Sequence, residues 1–463
     1  MVSTSVRDSV AGAVWIYLSN VIAALGGFAF WVIMARVAGL KALGVASAIV
    51  SAASIATTFV SAGLGIAVVR EVASRDYEAF WASLAVSIGL GLAASALATV
   101  FASLLGVGSS YLCSLLAFLS VLSLASLSSL RGFRRFRGLA LASLASTAAK
   151  IGTGLAVALA GERFLAPLVG YVAYPLVASV ASLAMVLPLS RGVGLRLGEV
   201  KRVIVYTYTN YPAVFSGQLT IMLNVYLYAL LSHRMVSTGA LYLSFAVALA
   251  ISMIPGALLG ASLPISIKSG SSSISESARI GLAMAIPVVA FVVAAPSAVL
   301  SVIARGSSIA STCLALLAFS VPPAVIVSTA INELNRVGNA RGIAAIGIAR
   351  LLTLLATLPA LTKLMGVDGA ALSYFLSTCA PIPYAIKRVD TGRELLKCWL
   401  AAAPAMATYL ALGSNILAAL AISLASVAML RALRVATLLD AKMVASVVLS
   451  ELLSIKRARE RTS

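Results

Sequence analysis

Hydrophobic residues in this chain come in unbroken runs of about twenty, separated by short polar connections. A run of that length is what one helix needs to cross a bilayer. Fourteen such spans are predicted, at roughly 11–35, 42–66, 81–106, 110–130, 139–161, 164–188, 204–231, 237–264, 279–303, 308–331, 342–362, 367–387, 396–412 and 414–431. Strands of a membrane barrel would alternate apolar and polar residues instead. The first run is too long for a signal-peptide core and lacks a cleavage pattern, so it reads as a retained helix. After residue 431 the pattern changes. Apolar pairs such as Leu438 and Leu439, or Val447 and Val448, alternate with Arg434, Lys442 and Glu451. That spacing predicts an amphipathic helix on the membrane surface. A basic end follows: Lys456, Arg457, Arg459 and Arg461.

Composition agrees with this pattern. The chain has 463 residues, 61% of them hydrophobic and 10% charged, with a mean hydropathy of +1.06. Soluble domains carry about 25% charged residues. Lipid is therefore the solvent, and the fold class is an all-α membrane protein. The net charge of +20 raises the question of nucleic acid. With the N-terminus placed inside, 26 of the 34 basic residues fall in inside segments and 6 in outside ones. Lys150 and Arg350 fall within spans. The bias follows the positive-inside rule, so both termini are expected in the cytoplasm and no nucleic-acid partner is implied. Cys113, Cys313, Cys379 and Cys398 are scattered, and His233 is the single histidine. Neither a disulfide framework, a metal site nor a cofactor is expected.

The chain repeats itself loosely. Leu130-Arg-Gly-Phe-Arg-Arg-Phe-Arg-Gly138 and Ile331-Asn-Glu-Leu-Asn-Arg-Val-Gly338 each precede a span with one buried cation, then a short turn, then a span with a tyrosine. Lys150 to Tyr174 and Arg350 to Tyr374 are both 24 residues, offset by 200. The expected domains are a six-helix bundle at 1–195, a second at 196–392, two appended helices at 393–431, and a basic tail at 432–463. Two such halves sharing one orientation fit alternating access around a central cavity.

Several segments carry a family likeness. They are Trp15-Ile-Tyr-Leu-Ser-Asn20, Ala35-Arg-Val-Ala-Gly-Leu-Lys-Ala-Leu-Gly44, Ser61-Ala-Gly-Leu-Gly65, Val69-Arg-Glu-Val-Ala73, Arg131-Gly-Phe-Arg-Arg-Phe136 and Gly366-Val-Asp-Gly-Ala-Ala371. In this order they resemble the polysaccharide-biosynthesis (Wzx-type) lipid-linked oligosaccharide flippases of the multidrug/oligosaccharidyl-lipid/polysaccharide (MOP) exporter superfamily. The chain departs from that pattern at Leu40-Lys-Ala-Leu43, where the family usually has an acidic residue or proline. The resemblance implies a cytoplasmic-membrane transporter, not an enzyme. Its cargo would be a glycan on polyprenyl or dolichyl diphosphate, moved intact, with lipids as the only other partners and a monomer as the expected state.

The candidate site follows from polar residues inside spans. A cation near the bilayer centre costs at least about 2.5–3.5 kcal/mol. Lys150 and Arg350 are thus candidates to face a wet cavity and bind a diphosphate. The plain alternative is that Lys150 packs in a wet groove and Arg350 snorkels to the interface. Asn20 lies in span 1 with Tyr17 one turn before it, and Asn210, Gln218 and Asn224 fit one stripe of span 7. Such stripes line cavities or join helices. Arg36 ends span 1, either as an anchor or as a phosphate contact. Pro212, Pro255, Pro287, Pro322, Pro323 and Pro359 are expected to kink their spans. No acidic residue is clearly mid-span, which argues against a cation-coupled multidrug exporter of the same superfamily. A membrane-embedded glycan polymerase or ligase would need a long outer loop, and there is none. No G-x-x-x-x-G-K-[ST] phosphate loop is present.

Overall fold

A computed structural model describes residues 4–106, 110–190, 194–209, 218–269, 274–304, 310–433 and 435. All regular structure among them is helical. The first half comprises α1 (Thr4–Val37), α2 (Gly39–Ser61), α3 (Leu64–Leu104), α4 (Ser110–Gly132), α5 (Phe136–Leu159) and α6 (Ala166–Val186). Then come α7 (Leu197–Thr209), α8 (Gln218–Ser232), α9 (Met235–Ser269), α10 (Ile274–Ala294), α11 (Pro296–Ile303), α12 (Ser311–Phe319) and α13 (Val321–Arg336). The chain continues through α14 (Ala340–Met365), α15 (Val367–Cys379), α16 (Ile382–Ile386), α17 (Gly392–Leu412) and α18 (Ile416–Ala432). Among the described residues, 11 helical stretches are long and apolar enough to cross a membrane, and Leu219–Ser232 and Ile416–Ala432 are shorter apolar helices. This is a multi-pass membrane protein. Most of the predicted tail, from residue 436 on, lies outside the described residues.

Several predicted spans are broken. Span 9 divides at Ala295 into α10 and α11, and span 10 divides at Ser320 into α12 and α13. Proline explains both breaks. Pro296 begins α11, and Pro322 and Pro323 sit in the first turn of α13. A residue with no N–H costs nothing in a first turn, where that donor has no helical acceptor. These prolines therefore start helices, whereas Pro255, Pro287 and Pro359 lie inside theirs as expected. Pro175 and Pro404 are also internal and were not anticipated. The predicted seventh span consists of α7 and α8, and Pro212 lies between them outside the described residues.

Two helices bury matching positions. On α5 the buried positions include 142, 143, 146, 147, 150, 154 and 158, and on α14 they include 342, 343, 346, 347, 350, 354 and 358. The offset is again 200, and the spacing is a helical stripe of threes and fours. Each helix packs this stripe against its hairpin partner, α5 on α6 and α14 on α15. Asn339 starts α14 by accepting a hydrogen bond from the Gly342 N–H at 2.9 Å. Helix α2 lies on α8 and α9, and α1 on α9. Helices α17 and α18 pack on α10.

The ends of the helices differ. The turn from α4 to α5 carries Arg131, Arg134, Arg135 and Arg137, and its side is termed the basic end below. At the opposite end α2 and α9 cross almost backbone to backbone. A Cβ on Gly44 would lie 1.7 Å from the Met235 carbonyl oxygen, and one on Gly239 would lie 2.2 Å from that of Leu40. Only glycine permits this approach, a familiar device of helix pairs in lipid.

Candidate functional site

A cavity of about 1340 Å³ lies within the first half and against α8 and α9. It runs from Arg134, Ala73 and Met253 at the basic end up to Trp31, Lys150 and Tyr242. Beyond that level α2 and α9 close on each other at Gly44 and Gly239.

Three kinds of side chain shape the lining. The first is cationic: Arg70, Arg131, Arg134 and Lys150 line the cavity, and among the described residues no aspartate or glutamate does. Lys150 is 6% exposed. Its ammonium lies 3.9 Å from the Tyr171 ring centre, 4.7 Å from Phe30, and 5.9 Å from both Trp31 and Tyr174. Ring faces attract a cation, but they do not neutralise it. Lys150 has a cage and, among the described residues, no counter-charge. The stripe on α5 turns it inward, and Gly170 brings α6 against its backbone.

The second kind is hydroxyl. Ser54, Thr57, Thr58 and Ser61 of α2 face Ser120, Ser123 and Ser128 of α4 across the lining. Several already spend their hydrogen within their own helix. Thr58 donates to the Ser54 carbonyl at 2.7 Å, Ser61 to Thr57 at 2.8 Å, and Ser120 to Leu116 at 2.6 Å. What remains on each oxygen is a lone pair, an acceptor for a ligand O–H. The third kind is aromatic: Phe28, Trp31, Tyr171, Tyr174, Tyr242 and Phe245.

The predicted residues fare differently. Arg350 is also 6% exposed, and its Nε has no partner, but it is absent from this cavity's lining. It occupies the corresponding face of α14, so the cavity holds Lys150 without Arg350. Asn224 is fully buried and donates from Nδ2 to the Ala370 carbonyl at 2.9 Å, tying α8 to α15 away from the cavity. Asn20 is exposed, three and four residues from the cavity-lining Ala23 and Ala24. Asn210 lies outside the described residues, and only the helical backbone of Tyr17 and Gln218 is described. The hydroxyl stripes and the arginines of the basic end were not foreseen as site residues. The signal was present. Ser54, Thr57, Thr58 and Ser61 follow helical spacing, as do Ser120, Ser123, Ser128 and Arg131 with Leu124 and Leu127 between them.

Arg36 lies at the opposite end. Its Nε donates to the Ile303 carbonyl at 3.3 Å and its Nη2 to that of Val302. These carbonyls close α11, where a helix offers unpaired acceptors and partial negative charge. The contact links α1 to α11 at this end. Replacing Arg36 with Ala is expected to raise the population open at this end several-fold. Spin-label distances between Val37 and Val302 would report it; an unchanged distribution would show that the latch holds nothing.

The fold has known counterparts. No protein-family description matches the chain, and no curated protein matches it by sequence. Among solved structures, the lipid II flippase MurJ in an inward closed conformation aligns with a TM-score of 0.66 at 14% identity, covering 90% of this chain and 97% of that one. An inward-facing multidrug resistance transporter of the MATE family in the MOP superfamily aligns at 0.58 and 14% identity, covering 84% and 95%. A MOP superfamily transporter from Pyrococcus furiosus Vc1, described as having a binding pocket of reverse polarity, aligns at 0.51 and 17%, covering 85% and 96%. At such identities the likeness is one of fold: the chain has the architecture of MOP superfamily transporters.

Proposed function

We propose that this chain is a flippase for lipid-linked oligosaccharides, carrying a glycan on polyprenyl or dolichyl diphosphate across the cytoplasmic membrane. The observation that carries this reading is the cavity lining, with four basic residues and no carboxylate among the described residues. A diphosphate requires positive charge and several donors, which arginine offers as a fork and lysine as a point charge. The acceptor oxygens of α2 and α4 suit the many O–H donors of a sugar. The rings around Lys150 offer flat faces to its C–H surface. The lipid tail stays in the bilayer while the head passes through the cavity, and no covalent bond changes. Fourteen spans in two six-helix halves with α17 and α18 appended, both termini in the cytoplasm, and one chain per functional unit complete the proposal. Arg350 then serves the second half as Lys150 serves the first. The solved flippase named above moves a lipid, which supports a lipid-borne cargo here. A carrier of lipophilic cations would need a negative site, and the cavity has none among its lining residues.

The test is transport by purified protein in liposomes. A fluorescent short-chain polyprenyl-diphosphate oligosaccharide is expected to cross to the opposite leaflet, while the same glycan on an uncharged lipid does not. Transport of a lipophilic cation without the diphosphate would reverse the assignment. A new covalent product from the labelled substrate would make the chain an enzyme.

A further inference from the structure

We infer that the cavity holds two anion stations stacked along the membrane normal: a capture station of Arg70, Arg131 and Arg134 at the basic end, and a transfer station at Lys150. This inference rests on the anionic-cargo reading above and goes beyond it. Phe136 lines the cavity at the start of α5, and Lys150 lies fourteen residues further along the same helix. At 1.5 Å per residue the separation is about 21 Å. The two backbone levels are that far apart, and a diphosphate fully engaged at one must move along the cavity to be fully engaged at the other.

The lower station is built by the turn at 131–137. Phe133 anchors it, packing on Tyr77 and Phe80 with ring centres 4.9 and 6.2 Å apart. Arg135 donates from Nη1 to the Met185 carbonyl at 3.3 Å, fixing the turn to α6. Between these anchors Arg134 adopts a left-handed backbone, φ +56°, and lines the cavity. A side chain held in that region marks a conformation imposed by its surroundings. Arg131 keeps its Nε buried with no partner. The Arg70 guanidinium lies 4.0 Å from the Tyr206 ring centre, and stacking of that kind leaves the in-plane N–H donors free. None of the three pairs with a carboxylate among the described residues. Between the stations the hydroxyls of α2 and α4 form intermediate rungs. The lower station is open to water and to the headgroup zone, so it captures. The upper one is desolvated, so the anion sheds its water only there.

The test uses the full chain in nanodiscs, titrated calorimetrically with inorganic pyrophosphate. Two pyrophosphates per chain are expected for the wild type. One is expected for Lys150→Gln, and one for the combined Arg70→Gln, Arg131→Gln and Arg134→Gln variant. Arg134→Gly, which suits the left-handed backbone, is expected to melt no lower than wild type while its lower-affinity step weakens about tenfold. A single pyrophosphate in the wild type, lost on either change, would overturn the two stations but keep the anionic cavity. No binding at all would overturn both readings.

Discussion

Replacing Lys150 with Met is expected to stop transport and, at the same time, to make the protein harder to unfold. The two effects have one origin. A lysine ammonium away from water costs about 2.5–3.5 kcal/mol even on forgiving scales. The rings around it return about 2 kcal/mol when the cation is desolvated. A deficit of roughly 1 kcal/mol remains, because no carboxylate faces it. Methionine has nearly the same length and suits the surrounding aromatic rings, so the deficit disappears and the apparent melting temperature rises by a few degrees. Transport moves the other way. An ionised donor to a phosphate oxygen is worth about 3 kcal/mol, and losing it slows the step that depends on it about a hundredfold. Thermal unfolding followed by tryptophan emission, beside the liposome assay, reads both quantities on one sample. A variant that melts higher and still transports at the wild-type rate would show that the buried cation is not used.

The second large effect is expected at the glycine crossing. Gly44→Val or Gly239→Val should drive α2 and α9 apart at the sealed end. The atoms in the way are backbone: Met235 C and O and Gly239 N around a Cβ on Gly44, and Leu40 O and Gly44 N around one on Gly239. No rotamer change can clear them, so the helices must separate. Overpacking costs about 1–3 kcal/mol where side chains can adjust, and rigid backbone puts this case at the upper limit. A penalty of about 3 kcal/mol confined to one conformer shifts the balance between conformers about a hundredfold. Spin labels on the sealed ends of α2 and α9 should therefore report a longer distance, and transport should fall because the cavity no longer closes on that side. Unchanged distances in both variants would mean that the crossing is not the seal.

The candidate site was only partly legible in advance. Lys150 stood out because a cation in a twenty-residue apolar run demands an explanation, and it lines the cavity. Arg350 stood out for the same reason and occupies the matching face of α14, yet it is absent from the cavity lining. Asn224, a candidate for either lining a cavity or joining helices, holds α8 to α15. A polar residue in a span must find a partner, and nothing local says whether that partner is cargo or a neighbouring carbonyl. The arginines at 131 and 134 were read as loop charges that set orientation. Orientation rules depend on charge near a span end, and cavity lining depends on which way the turn points.

By itself the sequence determined the solvent, the helical class, the position of most helices, and the 200-residue echo between α5 and α14. These follow from the length of apolar runs and from helical spacing, both of which are local. Only the tertiary structure decided that spans 9 and 10 are broken, that serines and threonines of α2 and α4 face one another, and that four cations share one space without a carboxylate. It also placed α2 against α9 at Gly44 and Gly239. Each of these depends on residues distant in the chain meeting at a defined angle, and no one-dimensional period encodes an angle between helices.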